Sequence, residues 1–170
     1  MDAKPPAAKG KKVLVVSSNG GHFDVAAAVL PAFREWTVEL VYYRLKGELA
    51  HVDLESLSIR KVHRVSLWGN TVGVRLAASF CFNFLEAFFI LLKARPQVVF
   101  STGAEIAIPV ALLGRLLFGA RLIHLETAVH PRKVSLTGKV LYPFCHRFFV
   151  QWPEACGLMG KKAEYAGRVF

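Results

Sequence analysis

Two short stretches of the chain set reactive side chains where a turn would present them. In VVSSNGGHFD, residues 15–24, a β-branched run gives way to Asn19, Gly20 and Gly21, followed by His22 and Asp24. In STGAE, residues 101–105, a second apolar run ends in Thr102, Gly103 and Glu105. Paired glycines let a backbone approach a ligand closely, and the free N–H groups at a helix start favour an anion such as phosphate. An imidazole or carboxylate beside them can take a proton from a hydroxyl. At the first turn of a helix the positive dipole end disfavours an imidazolium, which keeps His22 available as a base. The plainer reading of His22 is a helix cap. Glu105 competes for the role of base, its alternative being a solvent-exposed helix start, and Asp24 is third because it can cap the helix instead. Ser17 and Ser18 stand where the first glycine of GxGxxG would be, and no GxxxxGK[ST] is present. A dehydrogenase or P-loop reading is therefore weak.

A third group, Glu126, Thr127, Arg132, Lys133, Ser135 and Thr137, lies on a long segment after another apolar run. Its basic and hydroxyl groups suit a diphosphate or a sugar, with Gly138 permitting close approach. The alternative is a solvated loop in which Ser135 or Thr137 caps a helix. Trp152 either stacks on a sugar or packs against protein. The remaining histidines show no ligand spacing, so no metal and no cofactor is expected.

The elements that must position these groups alternate along the chain. The pattern predicts strands at 13–17, 37–44, 61–67, 98–101, 121–125 and 147–151, and helices at 25–33, 72–94, 106–118 and 136–144. Strand and helix alternating in this way mean an α/β fold, a Rossmann-like parallel sheet with helices on both faces. Ligands of such sheets sit beyond the carboxyl ends of the strands, where the three groups above fall. One domain is expected over residues 13–170, after a flexible basic tail at 1–12 that has no apolar core of a signal peptide.

Composition narrows the partners. Hydrophobic residues make up 54% of the chain, the mean hydropathy is +0.37, and the formal net charge is +10. An excess of apolar surface with a basic balance points to a protein partner or a bilayer, and to anionic surfaces or ligands. Nucleic acid would need a basic stripe interleaved with exposed aromatics, whereas the aromatics here concentrate in the 72–94 helix. At about 100° per residue, Ser79, Asn83, Glu86 and Lys93 share one stripe of that helix, and phenylalanines and leucines cover the rest. It suits the membrane interface better than a span, with Phe80, Phe84, Phe88 and Phe89 in lipid and Arg75 and Lys93 at the phosphates. Packing against a partner is the alternative. Three cysteines without CxxC spacing fit a reduced compartment.

Two motifs carry a family resemblance. NGGH after the first strand resembles the glycine loop of MurG-type GT-B glycosyltransferases. The run ETAVHPRKVSLTGKVLYPFCHRFFVQWPE, residues 126–154, resembles the membrane-associated subunit of the two-subunit N-acetylglucosaminyltransferase of eukaryotic N-glycan assembly. It also resembles that subunit's PssD-type bacterial relatives in exopolysaccharide and capsule synthesis, and STGAEIAIP is closer to this bacterial branch. The resemblance implies the amino-terminal, acceptor-binding half of a GT-B enzyme, with the donor-binding half on a separate chain. It further implies a nucleotide sugar as donor, a polyprenyl-diphosphate-linked saccharide as acceptor, no metal in the transfer, and a peripheral position on the cytoplasmic face of the plasma membrane. A non-catalytic anchor that recruits a complete enzyme is the alternative.

Overall fold

The computed structural model describes residues 10–43, 53–66, 74–128 and 133–169, without the side chains of 43 and 74–77. Arg132 and the Arg75 side chain therefore lie outside the described residues, as do residues 1–9 of the expected tail. Lys12, assigned to that tail from the sequence, instead opens the first strand.

Among the described residues seven strands form one parallel sheet. They are β1 (Lys12–Val16), β2 (Thr37–Tyr43), β3 (Ile59–Val65), β4 (Val98–Ser101), β5 (Arg121–Leu125), β6 (Arg147–Val150) and β7 (Ala163–Tyr165), in the order β3-β2-β1-β4-β5-β6-β7. The helices are α1 (Gly21–Val29), α2 (Val74–Ala94), α3 (Ala107–Leu116), α4 (Leu136–Leu141) and α5 (Pro153–Met159). α1 and α4 each run on into a 3₁₀ turn, Leu30–Phe33 and Tyr142–Phe144. The expected Rossmann-like parallel sheet is the one observed. The centre is β1 beside β4, with Val13 opposite Val98 and Val15 opposite Phe100. Val13–Val16 and Val98–Phe100 are unbroken apolar runs because both of their faces are covered. Leu14, Leu40, Leu91 and Leu122 are at most 1% exposed, and each such side chain contributes roughly 1.5–3 kcal/mol by burial.

From β1 the chain turns one way to β2 and β3, then crosses back to β4 and proceeds the other way. Right-handed crossovers place α1 on one face and α2 to α5 on the other. The direction reverses between β1 and β4, so the crevice of the sheet opens where those two strands end.

α2 is turned in a way that periodicity cannot show. Ser79 and Asn83 are buried at 7% together with Ala87, Leu91 and Ala94, so most of the polar stripe faces the protein. Glu86 accepts from Ser66 N at 2.8 Å and from Ser66 Oγ at 3.0 Å. Small residues on this side let the helix lie close to α3, where Gly114 leaves room for Leu91 and Val99. The outer side is apolar: Phe80, Phe82, Leu85, Phe88, Phe89 and Leu92 are 37–57% exposed. Phe84 is half-buried against Phe80. Among the described residues no helix is long and apolar enough to cross a membrane.

Candidate functional site

The ends of β1 and β4 are tied together. Thr102 N donates to Val16 O at 3.2 Å, and Thr102 Oγ1 donates to Ser17 Oγ at 3.2 Å. From β1 the chain passes Asn19 to Gly20, whose φ of 64° starts the turn into α1. Gly20 O accepts from Phe23 N and Asp24 N. α1 thus begins at Gly21, four residues before the start expected at residue 25, and its N-terminal cap has no side-chain hydrogen bond.

His22 is therefore not a cap. Its half-buried ring crosses to the loop after β4, where Nδ1 lies 2.7 Å from Thr102 O. A carbonyl oxygen only accepts, so Nδ1 carries the proton, and in the neutral ring the lone pair remains on Nε2. The loop is shaped around that ring. Gly103 has a φ of 108°, and a Cβ there would stand 2.8 Å from His22 Cε1. Ala104 follows with a φ of 67°, a second left-handed residue and a strained one. This turn sets Glu105 at the exposed rim ahead of α3, and Asp24 is exposed in the first turn of α1. Asn19 and Gly20 after β1, Gly21 and His22 in the first turn of α1, and Gly103 and Glu105 after β4 thus adjoin at the crevice, whereas Thr102, also expected at substrate, is 1% exposed and turned to Ser17.

The third group divides. Glu126, expected from its polarity to touch substrate, is 2% exposed. Its Oε1 accepts from Thr127 N at 3.1 Å and Ser135 N at 3.3 Å, and its Oε2 accepts from Ser135 Oγ at 3.0 Å. Ser135 caps α4 by accepting from Gly138 N at 2.8 Å. A Cβ on Gly138 would run into Glu126 Oε2, so this glycine admits the carboxylate rather than a ligand. Burial pushes the Glu126 carboxyl up, but His124, Ser135 and Thr127 around it leave it below its ordinary value. Glu126, Ser135 and Gly138 form a clamp that holds the β5–α4 connection. Thr137, also expected at substrate, is 7% exposed and belongs to the interior. Thr127 is half-buried and Lys133 is exposed.

Trp152 Nε1 donates to Ala128 O at 2.8 Å, and the Arg168 guanidinium lies 4.1 Å from its ring centroid. Arg168 occupies a face of the ring on which a sugar was one expected occupant. Three buried polar residues near the site were given no role from the sequence: Ser101, His124 and Gln151. Gln151 donates through Nε2 to Glu126 O at 2.9 Å and accepts from Val169 N at 3.2 Å, binding the C-terminal segment to the end of β6. Their only sequence signal is a polar residue within or just after an apolar strand.

A family model described as oligosaccharide biosynthesis protein Alg14 like matches residues 14–169. The chain is 23% identical over 180 residues to the UDP-N-acetylglucosamine transferase subunit ALG14 of Yarrowia lipolytica, covering 95% of this chain and 82% of that one. It is 26% identical over 171 residues to the UDP-N-acetylglucosamine--N-acetylmuramyl-(pentapeptide) pyrophosphoryl-undecaprenol N-acetylglucosamine transferase of Streptococcus pneumoniae serotype 19F. That match covers 93% of this chain and 46% of the transferase, so the chain spans about half the length of this relative. Among solved structures, Acinetobacter baumannii MurG superposes with a TM-score of 0.68 at 18% identity, over 85% of this chain and 42% of that one. A likeness at that identity carries the fold alone.

Proposed function

From the premise that the chain belongs to the Alg14-like family of oligosaccharide biosynthesis proteins, we propose that it is the acceptor-binding half of a two-component glycosyltransferase. In this reading a separate GT-B chain holds a nucleotide sugar, UDP-linked as the names of the relatives suggest. The acceptor is a saccharide on a polyprenyl diphosphate at the cytoplasmic membrane face, in polysaccharide synthesis. The observation that carries the reading is the His22 ring, fixed by Thr102 O so that Nε2 is the atom left to act. As the acceptor hydroxyl attacks the anomeric carbon, Nε2 takes its proton. The new C–O bond forms while the bond to the nucleoside diphosphate breaks, and no metal is assigned to the transfer. Glu105, at the rim of the same crevice, orients the acceptor and is the competing base. Asn19, Gly20, Gly21 and Asp24 line the approach, and Lys133 with Arg132 is assigned to the lipid diphosphate.

The exposed face of α2 supports a peripheral membrane attachment, with Phe80, Phe88 and Phe89 entering lipid and Lys93 meeting phosphates at its edge. The same face favours the second reading, a non-catalytic anchor that recruits a complete enzyme. Assays of this chain assembled with its donor-binding partner separate the two. His22→Ala is expected to lower kcat by about a hundredfold or more, with assembly intact. Undiminished kcat in a His22→Ala Glu105→Ala complex would leave only the anchor.

A further inference from the structure

Beneath the two loops lies a row of buried polar groups with no part in the transfer chemistry. Ser101 and His124 are 0% exposed and Glu126 is 2% exposed. Ser101 and His124 are register partners on β4 and β5. Ser101 Oγ lies 3.1 Å from His124 Nδ1 and accepts from Gly103 N at 3.2 Å. On its other side His124 Nε2 faces Glu126 Oε2 at 3.5 Å, long for a hydrogen bond, and finds no other partner among the described residues. The ring lies against Phe148, with centroids 4.9 Å apart.

One proton arrangement fits every contact in the row. With a proton on His124 Nε2 directed at the Glu126 carboxylate, Nδ1 accepts the Ser101 hydroxyl, whose oxygen accepts Gly103 N–H. Complete burial keeps Ser101 from acting as a nucleophile, so the row serves what it holds. It ends on Gly103, the residue that makes room for His22, next to the carbonyl that fixes His22 Nδ1. Two successive left-handed residues, Gly103 and Ala104, need such an anchor to stay in place.

We infer that His124, held by Glu126, is a positioning residue. Through Ser101 it fixes the Thr102–Gly103 peptide and thereby the tautomer and orientation of the His22 imidazole. Its catalytic consequence rests on the reading of His22 as base; its structural content does not.

The test is Ser101→Ala, which removes the link without adding volume. Nitrogen-15 NMR of the His22 ring in the full chain is expected to show the Nδ1-protonated tautomer. In Ser101→Ala the ring should become a mixture of tautomers, with Gly103 amide exchange at least about tenfold faster. In the two-chain enzyme kcat should fall about tenfold with the acceptor KM nearly unchanged, the pH dependence of kcat should shift, and the loss should vanish in a His22→Ala background. Ser101→Thr, which restores the hydroxyl, should rescue these signals. Should Ser101→Ala not fold, His124→Phe keeps a ring against Phe148 and reads the same quantities. An unchanged His22 tautomer and Gly103 exchange in a folded variant overturn the inference. A shifted tautomer with undiminished kcat upholds the positioning and overturns instead the assignment of His22 as base.

Discussion

Gly103 is where two requirements meet in one residue, a left-handed φ and an empty side-chain position under the His22 ring. Gly103→Ala is expected to lower stability by about 1–3 kcal/mol in urea unfolding. It should also cost more activity than that loss explains, because the ring has to move. Glu126 makes a different demand. Its carboxyl is held below its ordinary value of 4.5 in the folded chain, despite burial, by His124, Ser135 and Thr127. A carboxylate depressed in this way contributes stability that is present above the unfolded value and lost as pH falls through the folded one. The urea midpoint should therefore decline below about pH 4.5. Glu126→Gln should flatten that decline while lowering the midpoint at neutral pH, and an unaltered acid profile would show that other groups set it. Glu39, also depressed beside His63 and Lys12, supplies a residual slope. The position of Glu126 shows what sequence polarity leaves open. A glutamate after a strand reads as a ligand contact, and only the closing of Ser135 and Gly138 on it turns it into a clamp.

Among the elements, the central strands were legible because burial on both faces forces unbroken apolar runs such as VLVV and VVF. The start of α1 was not, since it opens on glycines and lacks a Ser, Thr, Asp or Asn cap, so periodicity becomes visible only from residue 25. α5 and β7, seven and three residues long, were missed because tertiary pairing with β6 sustains them rather than any pattern of their own. For α2, periodicity sorts residues into stripes without saying which stripe meets the protein. Apart from Leu91, the residues it turns inward are small or polar, Ser79, Asn83, Ala87 and Ala94, and most of the large apolar ones face out, opposite to an ordinary surface helix. A sharp pair of variants follows. Leu85 and Phe89 are 57% and 56% exposed, so Leu85→Ser Phe89→Ser should abolish sedimentation with anionic liposomes and leave the melting temperature nearly unchanged. Phe84→Ser, which removes a half-buried ring, should instead lower the melting temperature. Liposome binding undiminished in the first variant would assign the outer face of α2 to a protein partner.

At the scale of the whole molecule, the described residues give the crevice one wall. The first turn of α1 and the loop after β4 bring His22, Gly103 and Glu105 to the carboxyl edge of a single sheet, where the proposed function has them hold an acceptor hydroxyl and its proton. A sugar nucleotide needs a second surface that binds the base and diphosphate and sets the anomeric carbon in line with that hydroxyl. The chain covers only 46% of the Streptococcus pneumoniae transferase, whereas it covers 82% of the relative named as a subunit. The 170-residue chain, supplied with a UDP-sugar and a polyprenyl-diphosphate-linked acceptor, is therefore expected to show no turnover above background. Addition of a donor-binding GT-B chain should start transfer, and the rate should saturate with that chain as the complex fills. Omitting one reactant at a time makes the test specific. If this chain is the acceptor wall, the donor-binding chain alone should retain nucleotide-sugar affinity while lacking transfer, and this chain alone should retain affinity for the lipid-linked acceptor. Steady turnover by this chain alone would mean that one sheet edge supplies both walls, and the two-component reading would fall.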